Sequence, residues 1–333
     1  MKAWRSALVL SCALAAWGVQ AQPVVLPPCE RAEPVPWREL APGVWVWEGA
    51  NQEVSPANAG HVAPVSVVVD AGEALVIDPG PGLLHGLRVR ASMACQFQAR
   101  VVQVVNTHAH AENVLGNAAF ADLPIAANAG THEAMVARCP DCLESLTLRA
   151  GRDAMAGTRI VWPSRLLRAG DVLSVGRMSL QVLASERGHT ASDLVLWLPQ
   201  QRVLWAGGLA YDGRLPELAQ GSIEQWLAAL GRLQQRQPRW VVASRVGDAG
   251  LLQATRHYLQ TLRQRVLAAM DAGRHAGELQ AVAMDEWAGW VGFEERQGFN
   301  TQRAWRELET VWMDQPLSPG ASPVPASVDQ VGR

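Results

Sequence analysis

Apart from Lys2, the 333-residue chain contains no lysine. Schiff-base chemistry, lysine general bases and a phosphate-loop lysine all need that ammonium group and are excluded for a chain without its first residues. A dinucleotide site is missing too. Asp78-Pro79-Gly80-Pro81-Gly82 is a glycine-rich turn, but it lacks G-x-G-x-x-G spacing and the βαβ context. No apolar run reaches the roughly 20 residues of a membrane span. Residues 1–21 read instead as an export signal: Lys2 and Arg5 form a basic start, Ala7 to Trp17 an apolar core, and Val19-Gln20-Ala21 a small-residue cleavage site. The alternative is a retained membrane anchor; Cys12 falls too early in the apolar core for lipid attachment. The mature protein is expected to be periplasmic or secreted. Losing Lys2 and Arg5 takes the formal charge from −2 to about −4, which does not suggest a nucleic-acid surface.

Cysteine is sparse, and four remain after processing: Cys29, Cys95, Cys139 and Cys142. An even count in an oxidising compartment favours disulfides. Cys139-Pro-Asp-Cys142 has a spacing suited to redox exchange, half a zinc site or a local bridge. With no second Cys-x-x-Cys and no thioredoxin-like pattern, a local Cys139–Cys142 bridge is favoured. Cys29 and Cys95 are left as a second pair that the sequence does not decide.

Residues 22–39 are proline-rich and read as an extended lead-in. Strands are expected at Val44 to Trp47, Ser66 to Val69, Ala74 to Asp78 and Val101 to Val105, then at Ser179 to Ala184, Leu194 to Leu198, Arg202 to Trp205 and Trp240 to Ala243. Helices are expected at Leu83 to Met93, around Ala129 to Arg138, and at Ile223 to Leu233. Strand groups followed by helices suggest two packed sheets with helices outside. Residues 251–315 turn helical, with Leu252, Leu259, Leu262, Val266 and Met270 at three- or four-residue steps. Residues 316–333 are rich in Pro, Ser, Ala and Gly and read as a disordered tail.

His108-Ala109-His110-Ala111-Glu112 follows the apolar run Val101 to Val105 directly. Two histidines at a strand end can offer two imidazoles to one divalent ion; the bland alternative is a pair of surface histidines. Gly188-His189-Thr190, on another strand-end loop, is placed as a third ligand would be. Three histidines plus a water form an open zinc site, in which the metal lowers the water pKa to about 7.

Asn106-Thr107-His108-Ala109-His110-Ala111-Glu112-Asn113, with Gly188-His189-Thr190 downstream and Val76-Ile77-Asp78-Pro79-Gly80 upstream, resembles the metallo-β-lactamase superfamily over roughly residues 40–250. Ser55-Pro56-Ala57-Asn58, Val114 to Phe120 and Asn300 to Glu309 resemble its exported branch of quinoprotein relay system zinc metallohydrolases. The resemblance implies an α+β fold, an αββα sandwich here followed by a C-terminal helical appendage. It also implies zinc ligation by His108, His110 and His189, and an association with a periplasmic quinoprotein dehydrogenase system.

Departures from the family pattern are concentrated at the second metal position. The usual His-x-His-x-Asp-His ends here in Glu112-Asn113; the usual Ala-Gly-Asp reads Ala206-Gly207-Gly208; the late Gly-His is replaced by Ala243-Ser244-Arg245-Val246. Glu112 alone cannot hold a second zinc beside a weak neutral donor and a permanent cation, so at most one zinc is expected. Arg245 is expected to stand in for part of the missing charge, pairing with Glu112 or a substrate anion, unless it simply points to solvent. Glu112 has three readings: general base, hydrogen-bond partner of a ligand histidine, or a salt-bridged remnant. Asn113 and His61 are candidates for orienting substrate, whereas Asp78 and Asp193 are candidates for supporting the ligands from behind. His85, His132, His257 and His275 read as surface or helix residues, and Trp45, Trp47 and Trp205 as core. The leading expectation is a hydrolase attacking an ester, lactone or amide carbonyl. The rival is a degenerate accessory or binding protein of the same fold.

Overall fold

Residues 24–218, 220–278 and 282–314 are described by the computed structural model of the chain; the expected export signal and the 316–333 tail lie outside them. The first sheet comprises β1 (Arg38–Ala41), β2 (Val44–Trp47), β3 (Val65–Asp70), β4 (Glu73–Ile77), β5 (Arg100–Val105), β6 (Ile125–Ala127) and β7 (Arg165–Leu166), lying side by side in chain order. Pairing is antiparallel from β1 to β4 and parallel from β4 to β7. The second sheet comprises β8 (Val172–Val175), β9 (Met178–Glu186), β10 (Asp193–Leu198), β11 (Val203–Trp205), β12 (Trp240–Val242) and β13 (Val246–Gly247), in spatial order β13-β12-β11-β10-β9-β8.

Both faces of each central strand are apolar because both are covered. In β4, Leu75 and Ile77 enter the core between the sheets with Val68, Val105, Leu196 and Trp205. The alternate residues Ala74 and Val76 pack with Val89 and Met93 of α1 (Leu83–Cys95). In β10, Leu194, Leu196 and Leu198 face the first sheet, whereas Val195 and Trp197 join a third cluster. A period-two chain buried on both sides reads as a continuous hydrophobic run, which is why these strands stand out in the sequence.

That third cluster unites α4 (Ile223–Gln234), α5 (Gly250–Asp271) and α6 (Phe293–Met313) on the outer face of the second sheet. The C-terminal helices thus complete the outer layer of an αββα sandwich. Polar contacts fasten α6: Glu307 accepts from Ser222 Oγ at 2.6 Å and Ile223 N at 3.0 Å, capping α4 with a carboxylate. Asn300 accepts from Leu218 N at 3.0 Å and donates to Pro216 O at 2.7 Å, fixing the loop after β11.

The thiol assignments need correction. Cys139 and Cys142 are free. Both lie within α3 (Ala129–Ala150), which continues through Pro140 rather than ending near Arg138. Cys139 packs against Val114 and Met135, while Cys142 packs beside Leu146 and Ala150, so the two thiols serve different contacts. The observed disulfide joins Cys29 to Cys95, with Cα atoms 5.4 Å apart. It ties the lead-in to the end of α1, next to the reciprocal bonds between Val35 and Gln96. The lead-in is also not wholly extended, for it contains a 3-10 turn at Cys29–Arg31 and the start of β1. Closing a loop with a sequence separation of 66 is worth about 4 kcal/mol in the chain-entropy account. Replacing both cysteines with serine should lower the unfolding free energy by about that much, measured by denaturant titration; a loss below about 1 kcal/mol would contradict this role.

Candidate metal centre

The loops after β5, between β9 and β10, and after β11 and β12 line one pocket, and the loop after β4 lies against the first of them. Asp78 leaves β4 with φ +52, a left-handed conformation that a short polar side chain tolerates. Its carboxylate then accepts from Thr107 N at 2.8 Å and Thr107 Oγ1 at 2.6 Å. Thr107 Oγ1 lies 2.9 Å from His108 Nδ1. The hydroxyl has one proton, so giving it to ionised Asp78 leaves it accepting from His108 Nδ1, with His108 Nε2 free as a donor to metal. Burial pushes the Asp78 pKa up to about 7 against the hydrogen bonds from Thr107 and Asn113.

His189 is fixed more directly. Its Nδ1 lies 2.8 Å from the Glu217 carbonyl oxygen. A carbonyl can only accept, so Nδ1 holds the proton and Nε2 is a lone pair. That Nε2 lies 3.3 Å from His110 Nδ1 and 3.2 Å from Tyr211 Oη. One ligand atom from each of His108, His110 and His189 can be chosen so that all lie within 4.8 Å of one another. Burial, with the neighbouring imidazoles, holds His108 down at about 3 and His189 well below the ordinary histidine range. Both are therefore neutral, the form that binds a metal. The donor set and its backing fit a zinc ion.

Asp193, at the start of β10, accepts from Thr190 N at 2.9 Å and braces the loop that presents His189. Burial raises its pKa to about 6. Glu112 Oε1 stands 3.7 Å from His110 Nδ1. Burial opposes its charge, but the nearby His110 and Arg214 outweigh it and hold the carboxyl below its usual range. Asn113 is buried on the wall of the histidine pocket.

Two expected site residues lie elsewhere. Arg245 is directed outward, donating to Asp212 O at 3.2 Å with its side chain 42% exposed. The turn after β12, closed by Ala243 N to Arg245 O at 2.9 Å, brings Ala243 and Ser244 to the pocket and turns Arg245 away. His61 packs against the rings of Trp47 and His85, at 4.3 and 4.5 Å, which are themselves stacked on each other. Its neighbours Val62 and Ala63 line the pocket instead.

Residues not anticipated from the sequence complete the site. Tyr211, Arg214 and Glu217 come from the loop after β11, and Arg296 from α6. Beside the histidine pocket lies a cavity of about 350 Å³, which shares His110, Glu112, Arg214, Glu217 and Arg296 with it. A Cβ at Gly208 would lie 2.2 Å from His189 Cδ2. The His189 ring occupies the space a side chain would need.

The metallo-beta-lactamase superfamily model matches residues 60–245. Metallo-beta-lactamase type 2 of Bacillus sp. (strain 170) is 27% identical over 164 residues, 47% of this chain and 57% of that protein. The acyl-coenzyme A thioesterase MBLAC2 of Gallus gallus is 27% identical over 201 residues, 55% of this chain and 71% of that one. The alignment thus spans little more than half the length of the Bacillus relative. Among solved structures, the metallo-beta-lactamase from Pontibacter korlensis superposes with a TM-score of 0.53 at 24% identity, covering 67% of this chain and 98% of its own. The metallo-beta-lactamase FIM-1 from Pseudomonas aeruginosa, solved in its mono-zinc form, gives 0.54 at 17% identity, covering 70% and 98%. With over half of its residues matched by the family model and the same fold in these structures, the chain belongs to the metallo-beta-lactamase superfamily.

Proposed function

We propose that the protein is an exported hydrolase that uses one zinc ion to cleave an ester, lactone, amide or thioester. The observation that carries this reading is the convergence of His108, His110 and His189, with His189 Nε2 bared by the Nδ1 contact to Glu217 O. A zinc ion held there would supply an activated water and polarise a carbonyl. Glu112, kept ionised beside His110, accepts the proton released by the attacking water. Tyr211 Oη, now 3.2 Å from His189 Nε2, is placed to donate to the carbonyl oxygen as negative charge develops. Asp78 and Thr107 hold the His108 ring, and Asp193 holds the His189 loop.

A single metal is supported by the group of metal-ligating side chains that converges among the described residues, His108, His110 and His189. The relatives' names support the reaction class, since a beta-lactamase and an acyl-coenzyme A thioesterase both act on acyl carbonyls. Export is supported by the Cys29–Cys95 disulfide and the character of residues 1–21. Service to a periplasmic quinoprotein dehydrogenase system rests on the resemblance of the Ser55 to Asn58, Val114 to Phe120 and Asn300 to Glu309 segments to that branch.

The test is a hydrolysis screen of zinc-reconstituted protein against esters, lactones, amides and thioesters. Turnover lost in His110→Ala is expected, together with a drop of about tenfold or more in kcat, at little change in KM, for Tyr211→Phe. A zinc-loaded protein inert to every class would favour the accessory-protein reading.

A further inference from the structure

We propose that Asn300, on the C-terminal helix α6, is a positioning residue for the third histidine: it aims the Glu217 carbonyl at His189 and so decides which ring nitrogen is left bare. This inference rests on reading His189 as a metal ligand, but not on any reaction the centre carries out. His189 Nε2 faces Tyr211 Oη and His110 Nδ1, at 3.2 and 3.3 Å. A hydroxyl and an imidazole nitrogen can each donate or accept, so neither settles where the His189 proton sits. Among the described polar neighbours of the ring, only the Glu217 carbonyl oxygen, 2.8 Å from Nδ1, is confined to accepting. An imidazole without such a partner is free to carry its proton on Nε2, the nitrogen needed here as a lone pair.

Glu217 acts through its backbone, so the residues on either side set where its carbonyl points. Asn300 holds both of them. Its Oδ1 accepts from Leu218 N at 3.0 Å, and its Nδ2 donates to Pro216 O at 2.7 Å. The second Nδ2 proton goes to Tyr258 Oη at 2.9 Å, whose own proton goes to Gln297 Oε1 at 3.0 Å. Reversing the amide would set its nitrogen against the Leu218 N–H and its oxygen against the Pro216 carbonyl, so one orientation alone satisfies the network. Asn300 and Tyr258 are fully buried, and a bond lost there leaves a buried polar group unpaired.

Other contacts from the C-terminal part of the chain hold the flanks of this loop and not the Glu217 peptide itself. Val291 exchanges backbone hydrogen bonds with Gly213 and Leu215 on one side. Glu307 accepts from Ser222 and Ile223 on the other. Asn300 and Glu307 stand about two helical turns apart and so share the face of α6 turned to the loop. Because α6 lies outside the family match at 60–245, this hold on the third ligand is supplied by the chain's own C-terminal helix.

Long-range proton–nitrogen NMR of metal-free protein carrying isotope-labelled histidine reads the tautomer directly, with His189→Ala assigning the signals. The parent protein should show His189 protonated at Nδ1 and bare at Nε2. Asn300→Ser is too short to span Pro216 and Leu218, and Asn300→Leu is similar in size but apolar; both should show a mixture of the two tautomers. Zinc affinity, titrated on the same samples against a chromogenic chelator, should fall by about 10–100-fold, the usual cost of losing a group that orients a ligand. Leu308→Ala is the control, removing a buried side chain from the same helix but no hydrogen bond to the loop. It should lower stability and leave both the tautomer and the zinc affinity where they are. A parent protein with the His189 proton on Nε2 would overturn the proposal. So would Asn300 variants with unmoved signals or undiminished zinc affinity, or a Leu308→Ala shift as large as theirs. Variants that shift the tautomer and weaken zinc, in a protein that hydrolyses nothing, would uphold it while the hydrolase reading falls. Zinc-dependent turnover with the His189 signals unmoved in both Asn300 variants would do the reverse.

Discussion

Gly208→Asp, the substitution that restores the family's usual Ala-Gly-Asp, is expected to destroy the metal centre rather than add a second one. The new Cβ would meet His189 Cδ2 at 2.2 Å, and the approaches to His189 Cγ and Nε2, at 2.9 and 3.2 Å, are also close. His189 has little room to retreat, because its Nδ1 is bonded to Glu217 O and its ring lies against Tyr211 and Trp226. Zinc affinity should fall by more than about 100-fold, beyond the usual cost of losing a supporting group, because a ligand itself is displaced. Metal titration of the variant checks this. Two tightly bound zinc ions would show that the backbone yields and that the one-metal account is wrong.

The second large effect is expected at Glu112. Glu112→Gln keeps the size of the side chain and removes the charge that faces His110 at 3.7 Å. If Glu112 accepts the proton from the attacking water, kcat should fall by about 10²–10⁴-fold while zinc remains bound. A variant that loses metal instead would assign Glu112 to supporting His110. Unchanged turnover with metal retained would make it a bystander. Measuring kcat and zinc content on the same sample separates the three outcomes.

The legible and illegible parts of this site differ for physical reasons. His108, His110 and His189 could be found because each follows a strand whose apolar residues mark it, and a strand end fixes where its next side chains emerge. Asp78 was legible for the same reason, as the residue after β4. Arg214 and Arg296 carry no such mark: one sits in a loop and the other on a helix, 82 residues apart, and only the clasp through Glu53 unites them. The idea that a guanidinium supplies positive charge near Glu112 fits Arg214, whereas the motif comparison pointed to Arg245. A short match across a tight turn cannot say which residue faces inward. Cys139 and Cys142 misled because Cys-x-x-Cys spacing is equally compatible with one turn of helix, and the packing of α3 outweighed Pro140. The outer-layer role of α5 and α6 was only half visible. Their apolar stripes showed that they pack on something, but the capping of α4 by Glu307 is a contact across more than 80 residues.

The central claim is that three histidines hold a single zinc ion. Elemental analysis of the purified, zinc-reconstituted protein beside His189→Ala tests it most directly. The account predicts about one zinc per chain in the parent protein, as an open three-histidine site requires, and none in the variant. No bound zinc in the parent, or zinc retained in full by His189→Ala, would contradict it.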